Sequence, residues 1–462
     1  MDADQDTTEP QPACPGCAAR DRKIAELEAR LAKLEALVRG GKRQAAPFSK
    51  GPPKAQPKPP GRKAGDDYGT HQRRAVPAHI DEVLEAPLPS RCPVCNGAVE
   101  PVEVAQQYQT EIPRKVIVRQ FNVHIGQCAC CHKRVQGRHP LQTSDALGAC
   151  ASQVGPDAQA LAVQLNKDAG LSHGKVSRFF KAAFDLDLSR SGACRTMLRA
   201  AVRCTGAYQA IVRSVRQSPS IVPDETGWKV GGVLAWLHVA VGTDATAYLI
   251  HRRRGYEAAV ELIGAEYDGF MIHDGWSPYM QFVYASHQTC LAHLLRRARE
   301  LEQDAIGRDA RFPRQVKAIL KESLAVRDAR EAGVLTLPQA IEQADRLSKQ
   351  LGELIRRPQN NGDHERFANH LWKQHQQETV FPFLHFGGVD ATNYKAEQAI
   401  RPATANRKVW GGNRTDIGAQ AQGVLMSVLR TAAQRGIDAV NFVSSTLKAC
   451  FASQPQIIST AG

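Results

Sequence analysis

A chain of 462 residues is long enough for about two to four domains, and 42% hydrophobic content is ordinary for a globular protein. Its 60 Lys and Arg against 46 Asp and Glu leave a formal charge of +14 and a pI near 9.3, which favours a polyanionic partner, nucleic acid before anionic membrane. The longest apolar stretch, near Gly231–Gly242, is too short to span a bilayer, and the acidic, polar start Met1-Asp2-Ala3-Asp4 is no secretory signal. The chain has twelve cysteines, six of them in three Cys-x-x-Cys pairs. They read as reduced and metal-binding rather than disulfide-bonded, which implies a cytoplasmic location.

Residues 1–41 hold one such pair, Cys14 and Cys17, and a short helix. Ile24, Leu27, Leu31, Leu34 and Val38 recur at alternating three- and four-residue steps, the a/d seam of a coiled coil. Two readings stand: a small dimerisation zipper, or one amphipathic helix lying on the protein. Cys17 is in register with the a positions. Two chains in a dimer would complete a four-thiolate zinc site there; otherwise the pair is unliganded. Residues 42–75 form a basic, proline-rich linker. Lys42, Arg43, Lys50, Lys54, Lys58, Arg62 and Lys63 occur with no acid before Asp66, so proline and self-repulsion extend it. We read it as a tether that adds nonspecific DNA affinity through Lys58, Arg62 and Lys63.

Residues 76–140 form a cysteine-bearing module with strand-like alternation over Lys115–Ile125. Cys92-Pro93-Val94-Cys95 and Cys128-Ala129-Cys130-Cys131 are two knuckles that together supply four thiolates for a structural Zn²⁺. Cys130 is the alternative to Cys131, but the two-residue gap favours Cys128 with Cys131. Residues 150–210 read as helices. Pro156 opens the first and Gly170 ends it, Ser172 caps the next, and Ser189 starts a third; the pattern is consistent with a helix-turn-helix.

From Ile221 the texture changes. Strands are expected at Asp224–Val230, Ala235–Val241 and Ala247–His251, a helix at Tyr256–Ile263, a strand at Gly269–Asp274 and another near His287–Ala292. Three strands, a helix, then a strand is the order of a ribonuclease-H-like α/β domain, here placed at 219–405 with a helical insertion at about 300–385. Pro223 is acceptable as the first residue of its strand. The chain as a whole is therefore a multidomain α/β protein. Closing helices fall around 393–401, 418–434 and 437–450, with Pro402 ending the first. A C-terminal segment, 406–462, opens on a basic loop.

Three acids carry chemistry: Asp224, Asp274 and Glu397. Two-metal phosphodiester cleavage needs carboxylates that hold two ions ~3.5–4 Å apart, and hard oxygen ligands suit Mg²⁺ or Mn²⁺. Asp224 shares a strand face with Thr226 and Trp228, while Glu225 points away. Asp274 precedes Gly275, which permits a sharp turn. In this topology the first and fourth strands are neighbours, so their acids meet. Glu397 lies on a helix with Asn393 and Arg401 one turn away on the same face. Beyond it Arg407, Lys408, Arg414 and Trp410 combine cations with a stacking surface for nucleic acid. Cys290 and His293 are read as a packed strand-to-helix junction rather than a metal site, with Arg296 and Arg297 offering charge toward DNA.

These segments resemble transposases of the insertion-sequence-66 family, which have a DDE catalytic domain. The resemblance is carried by Asp224-Glu225-Thr226-Gly227-Trp228, Asp274-Gly275-Trp276-x-x-Tyr279, Cys290-Leu291-Ala292-His293 with Arg296-Arg297, and Asn393-x-x-x-Glu397-x-x-Ile400-Arg401-Pro402. It extends over nearly the whole chain. It implies that Asp224, Asp274 and Glu397 are the metal-binding triad. It further implies binding to double-stranded DNA (element ends and target), a homodimer or higher assembly, accessory proteins from the same element, and a bacterial, nucleoid-associated location. Where the family commonly carries Arg directly after the glutamate, this chain has Gln398. Two other readings are an RNase-H-like nuclease or resolvase without strand transfer, and a zinc-ribbon DNA-binding regulator with a dead core.

Overall fold

The computed structural model describes residues 24–29, 76–84, 86–87, 89–91, 94–98, 100–101, 104–109, 116–147, 153–305, 307–359 and 361–452. The chain divides into two compact units, 1–111 and 112–462. In the first, residues 24–29 are helical, with Ile24 and Leu27 exposed. The rest of the expected zipper, Cys14, Cys17 and the linker cations Lys58, Arg62 and Lys63 lie outside the described residues. Around Cys95, Arg91 and Ala98 form an antiparallel bridge.

The second unit opens on a small hairpin, β1 (Ile125–Gln127) and β2 (Arg134–Gln136), paired antiparallel. The strand expected over Lys115–Ile125 is not formed: from Val116 to His124 the described backbone is irregular. Ile117 and Val118 are exposed, so alternation there has neither a pairing strand nor a core to bury against.

Four helices follow: α1 (Pro156–Lys167), α2 (His173–Phe184), α3 (Arg190–Arg203) and α4 (Thr205–Arg216). Their starts are chemical. Pro156 supplies a fixed φ in the first turn, and Ser172 and Ser189 accept the Lys175 and Gly192 amides.

A five-stranded sheet then forms from β3 (Ser220–Val230), β4 (Val233–Val241), β5 (Thr246–His251), β6 (Phe270–His273) and β7 (Ser286–Thr289), in the order β5-β4-β3-β6-β7. β3, β4 and β5 are antiparallel; β6 and β7 add in parallel. Helix α5 (Tyr256–Ile263) is the crossover between β5 and β6, as a parallel addition requires. Strand β3 begins at Ser220, so Pro223 sits inside it, opposite Ala240, and not at its first position. Pairing with β6 is registered only at Ser220 and Ile221, so that edge asks for no ladder donor at Pro223. The expected run to Ala292 stops at Thr289, and a helix starts at Leu291.

Beyond β7 come α6 (Leu291–Asp304), α7 (Arg311–Glu331), α8 (Leu337–Ile355), α9 (Gly362–Gln376), the single turn α10 (Pro382–His385), α11 (Tyr394–Trp410), α12 (Asp416–Gln434) and α13 (Ala439–Ala452). Pro402 does not end α11; the helix continues to Trp410 and stops at Gly411 in the left-handed region. An interior proline costs ~3 kcal/mol. Burial of Ala399, Ile400 and Ala403 offsets it, as does a bond from the Asn406 amide to the Lys167 carbonyl at 2.8 Å. The expected basic loop is thus helical through Arg407 and Lys408.

The sheet is the middle of three layers. One face packs with α1–α5, α12 and α13 through Ile221, Ala240, Ala247 and Met271. The other packs with α6–α11 through Val222, Trp228, Leu237, Val239 and Ile272. The helices of 150–210 are therefore one wall of this core. The insertion is fastened to β7 by buried polar groups: the Thr289 amide donates to Thr379 O at 2.7 Å, and Gln288 Nε2 to Val380 O at 3.0 Å.

Candidate active site

Residue parity aims the acids. Val222 and Trp228 of β3 belong to the core shared with α6–α11, and Asp224 lies on their face by the two-residue alternation of a strand. The offset that pairs Ser220 with Phe270 and Ile221 with Met271, carried three residues on, brings Asp274 level with Asp224, and Asp274 is near enough to act on the Asp224 carboxyl. Asp274 lies one residue past β6, with the parity of Ile272, which faces the same core. Glu397 stands in the first turn of α11, in that same layer, where a negative charge is favoured by the helix dipole.

Asp224 and Asp274 are each held locally. Asp224 Oδ1 accepts the Glu225 amide at 2.8 Å, and Asp274 Oδ1 accepts the Trp276 amide at 2.9 Å. Gly275 takes φ +89, the sharp turn expected of it. Its N–H donates to His273 Nδ1 at 3.0 Å. That bond makes Nδ1 the acceptor, so Nε2–H donates to His287 Nδ1 at 3.1 Å, and His287 Nε2–H to Phe282 O at 3.1 Å. Burial pushes His273 down to about 3, so it stays neutral in this chain. Glu397 is half-buried, and His293 Nε2 lies 4.0 Å from its Oε1.

The acids also sense one another. Burial, foremost, pushes the Asp224 carboxyl up to about 7; nearby Glu225, Asp274 and Glu397 add to the push, against the bond from the Glu225 amide. Such a group supplies hard oxygen donors, which suit a divalent cation. Among the described residues, the spacing does not gather three His, Cys, Asp or Glu side chains around one point.

Behind this face lies a second layer. Glu225 points to the opposite side, as expected, and is only 3% exposed. It accepts the Tyr279 hydroxyl at 2.8 Å and the Arg254 guanidinium at 2.7 Å. Arg254 lies over both Trp236 and Trp276, 4.7 Å from each ring. This explains why Tyr279 and Trp276 accompany Asp274: they brace the neighbour of Asp224. The sequence contained the signal, an acid next to Asp224 and a tyrosine five residues after Asp274, but not the pairing.

Of the expected DNA contacts, Arg407 reaches the acids' face, with Nη1 3.5 Å from Thr226 Oγ1. Arg296, Lys408 and Arg414 are exposed and Trp410 is half-buried. Arg401 lies over the Tyr394 ring at 6.0 Å. Arg297 is partly committed, 3.5 Å from Glu300 and 3.7 Å from Asp363. Cys290 is buried at the junction, as expected, but His293 beside it was not foreseen as a neighbour of Glu397.

The second knuckle is well formed. The Cys128 amide donates to Lys133 O and the His132 amide to Cys128 O, each at 2.9 Å, with His132 at φ +55. Hydrogen bonds from the Cys131 and Cys130 amides hold the Cys128 thiol below its usual range. Cys95 is exposed in the first unit, and Cys92 lies outside the described residues.

Among the described residues no helix is long and apolar enough to cross a membrane. A search of curated proteins finds no match. A comparison with protein-family models finds one that matches residues 151–421, more than half of the chain; it describes the transposase IS66 family.

Proposed function

This chain belongs to the IS66 transposase family, and on that premise we propose that Asp224, Asp274 and Glu397 form a metal-dependent site that cuts and joins DNA strands. One observation carries the reading: Asp224 and Asp274 each follow by two a residue, Val222 or Ile272, that faces the layer of Glu397's helix, and Asp224 is pushed up to about 7 by burial and by its acidic neighbours. The sheet order β5-β4-β3-β6-β7, antiparallel then parallel, supports an RNase-H-like core with α6–α10 as its insertion.

The carboxylates bring hard oxygens from two adjacent strands and one helix start. Mg²⁺ or Mn²⁺ bound there supplies positive charge for the attacking and leaving oxygens. Water cleaves the strand and leaves a 3′-hydroxyl. That hydroxyl attacks a target phosphodiester at the same site, displacing a second 3′-oxygen, and no covalent enzyme intermediate is needed. Arg407, across Thr226, offers a cation to the phosphate. The other cations reach along the duplex: Arg296, Arg297, Arg401, Lys408 and Arg414, with Trp410 for stacking. The N-terminal modules bind element ends, the zipper pairs two chains, and Cys92, Cys95, Cys128 and Cys131 hold a structural Zn²⁺. The Cys131 and Cys130 amides that bond the Cys128 thiol and hold it below its usual range support the zinc assignment.

Glu397→Gln tests the site with an isosteric, uncharged side chain. It retains inverted-repeat binding and loses strand cutting by about 10²-fold or more, read on end-labelled duplex in Mg²⁺. Cutting at the wild-type rate would remove Glu397 from the site. Joined end–target products identify a transposase; nicks alone identify a nuclease.

A further inference from the structure

Three acids from separate segments need something that fixes their spacing. Asp224 and Asp274 are fixed by strand register, but Glu397 arrives on a helix more than a hundred residues later. One contact between the two parts runs through a buried side chain, next to the bond from the Leu291 amide to Ala391 O at 2.9 Å. Cys290 is fully buried. Its amide donates to His273 O at 2.7 Å, the carbonyl directly before Asp274. Its Sγ–H donates to Asn393 Oδ1 at 3.1 Å, and its Sγ accepts the Asn393 amide at 3.3 Å. Asn393 is the N-cap of α11, and its carbonyl accepts the Glu397 amide at 3.2 Å. The Cys290 carbonyl accepts the His293 amide at 3.2 Å, and His293 Nε2 lies 4.0 Å from Glu397 Oε1. One residue thus touches the backbone that delivers Asp274, the cap that orients Glu397, and the turn that brings His293 beside it. Burial pushes the thiol up, so it stays protonated and can donate.

We propose that Cys290 is a positioning residue, a latch with Asn393 that sets the separation of Asp274 and Glu397. This rests on the metal-site reading above. It assigns Cys290 no ligand role: its sulfur is committed twice to Asn393. A shift of the α11 cap moves Glu397 directly, whereas β3 and β6 keep Asp224 and Asp274 together without the latch.

The test is Mn²⁺ binding by the full-length protein without DNA, read from the electron-spin resonance of free Mn²⁺, with a melting temperature for each variant. Replacing a residue that orients metal ligands weakens affinity about 10- to 100-fold. Cys290→Ala falls in that range, Asn393→Ala falls less because the Asn393 amide still meets sulfur, and Cys290→Ser recovers most of the loss. Glu397→Gln is the reference for a lost ligand. If Cys290→Ala and Asn393→Ala bind Mn²⁺ like wild type while Glu397→Gln is weakened, the latch is wrong and the metal site stands. If Glu397→Gln also binds like wild type, the metal assignment falls and the latch falls with it. A serine variant as weak as the alanine one marks mere packing and overturns the proposal. Should Cys290→Ala not fold, Asn393→Ala decides alone.

Discussion

Buried charge at single residues is tolerated here in three ways. Asp224 stands among like charges on the acids' face. Lys167 is buried at the end of α1, with its ammonium donating to the neutral Gln422 Oε1 at 2.6 Å. Burial pushes Lys167 down to about 8. The sign of the consequence is fixed by linkage. In the unfolded chain the amine titrates near its ordinary ~10.4, so between about 8 and that value the unfolded state binds more protons. The penalty of burying the ammonium is therefore constant below pH 8 and is relieved as pH rises toward 10.5, by ~3 kcal/mol as an order of magnitude. Lys167→Met lacks this relief. The stability difference between variant and wild type, from urea unfolding at pH 7.5 and pH 10, should shift by that order in favour of the wild type at high pH. A pH-independent difference would show that the ammonium is not buried in the folded state. Glu225 and Tyr279 show a third solution: burial raises the carboxyl, while the Tyr279 hydroxyl and Arg254 hold it back.

Elements are joined at points where a local rule is strained. The Gly411–Asn413 turn after α11 pairs with the end of β3: the Asn413 amide donates to Lys229 O at 2.9 Å, and Trp228 Nε1 donates to Asn413 Oδ1 at 2.8 Å. Gly412 adopts φ +114, and a Cβ there would lie 2.3 Å from the Lys229 carbonyl oxygen. Gly412→Ala should therefore destabilise by ~2 kcal/mol or more. Gly387→Ala, with open space around it, serves as the control at ~0.5 kcal/mol or less. Equal unfolding midpoints in urea would refute the close approach. What was legible in the sequence follows from range. Caps at Ser172 and Ser189, the helix at Tyr256–Ile263 and the strand parity of Asp224 are set within a few residues, and period and capping chemistry reveal them. The continuation of α11 through Pro402 was not legible, because burial against distant elements outweighs a local proline penalty. Nor was the strand expected before Ile125, where alternation alone found no partner. The acids could be named individually, but their junction through Cys290 and Asn393, 103 positions apart, is a tertiary fact.

At the scale of the molecule, the charge of +14 is distributed unevenly along the sequence. In the core several cations are already engaged: Arg254 with Glu225, Arg252 with Asp416, Arg297 near Glu300 and Asp363. The linker segment 42–65 carries cations and no acid, so its charge has no competing partner within the segment. Phosphate contacts release counterions, and each contributes about 0.9 to the slope of log K against log salt. A tether that tracks the backbone without reading bases adds to that slope equally for every sequence. Substituting Lys58, Arg62 and Lys63 together by Ala in the full chain should therefore lower the slope by up to about 3. The loss should be the same on inverted-repeat and unrelated duplex, leaving their affinity ratio unchanged. Arg407→Ala, at the acids' face, should instead reduce strand cutting while changing the slope by about 1 at most. Salt titrations of duplex binding on both DNAs separate the two roles. A loss confined to inverted-repeat DNA would make the linker a sequence reader, as an arm entering the minor groove is, and an unchanged slope would remove it from the interface.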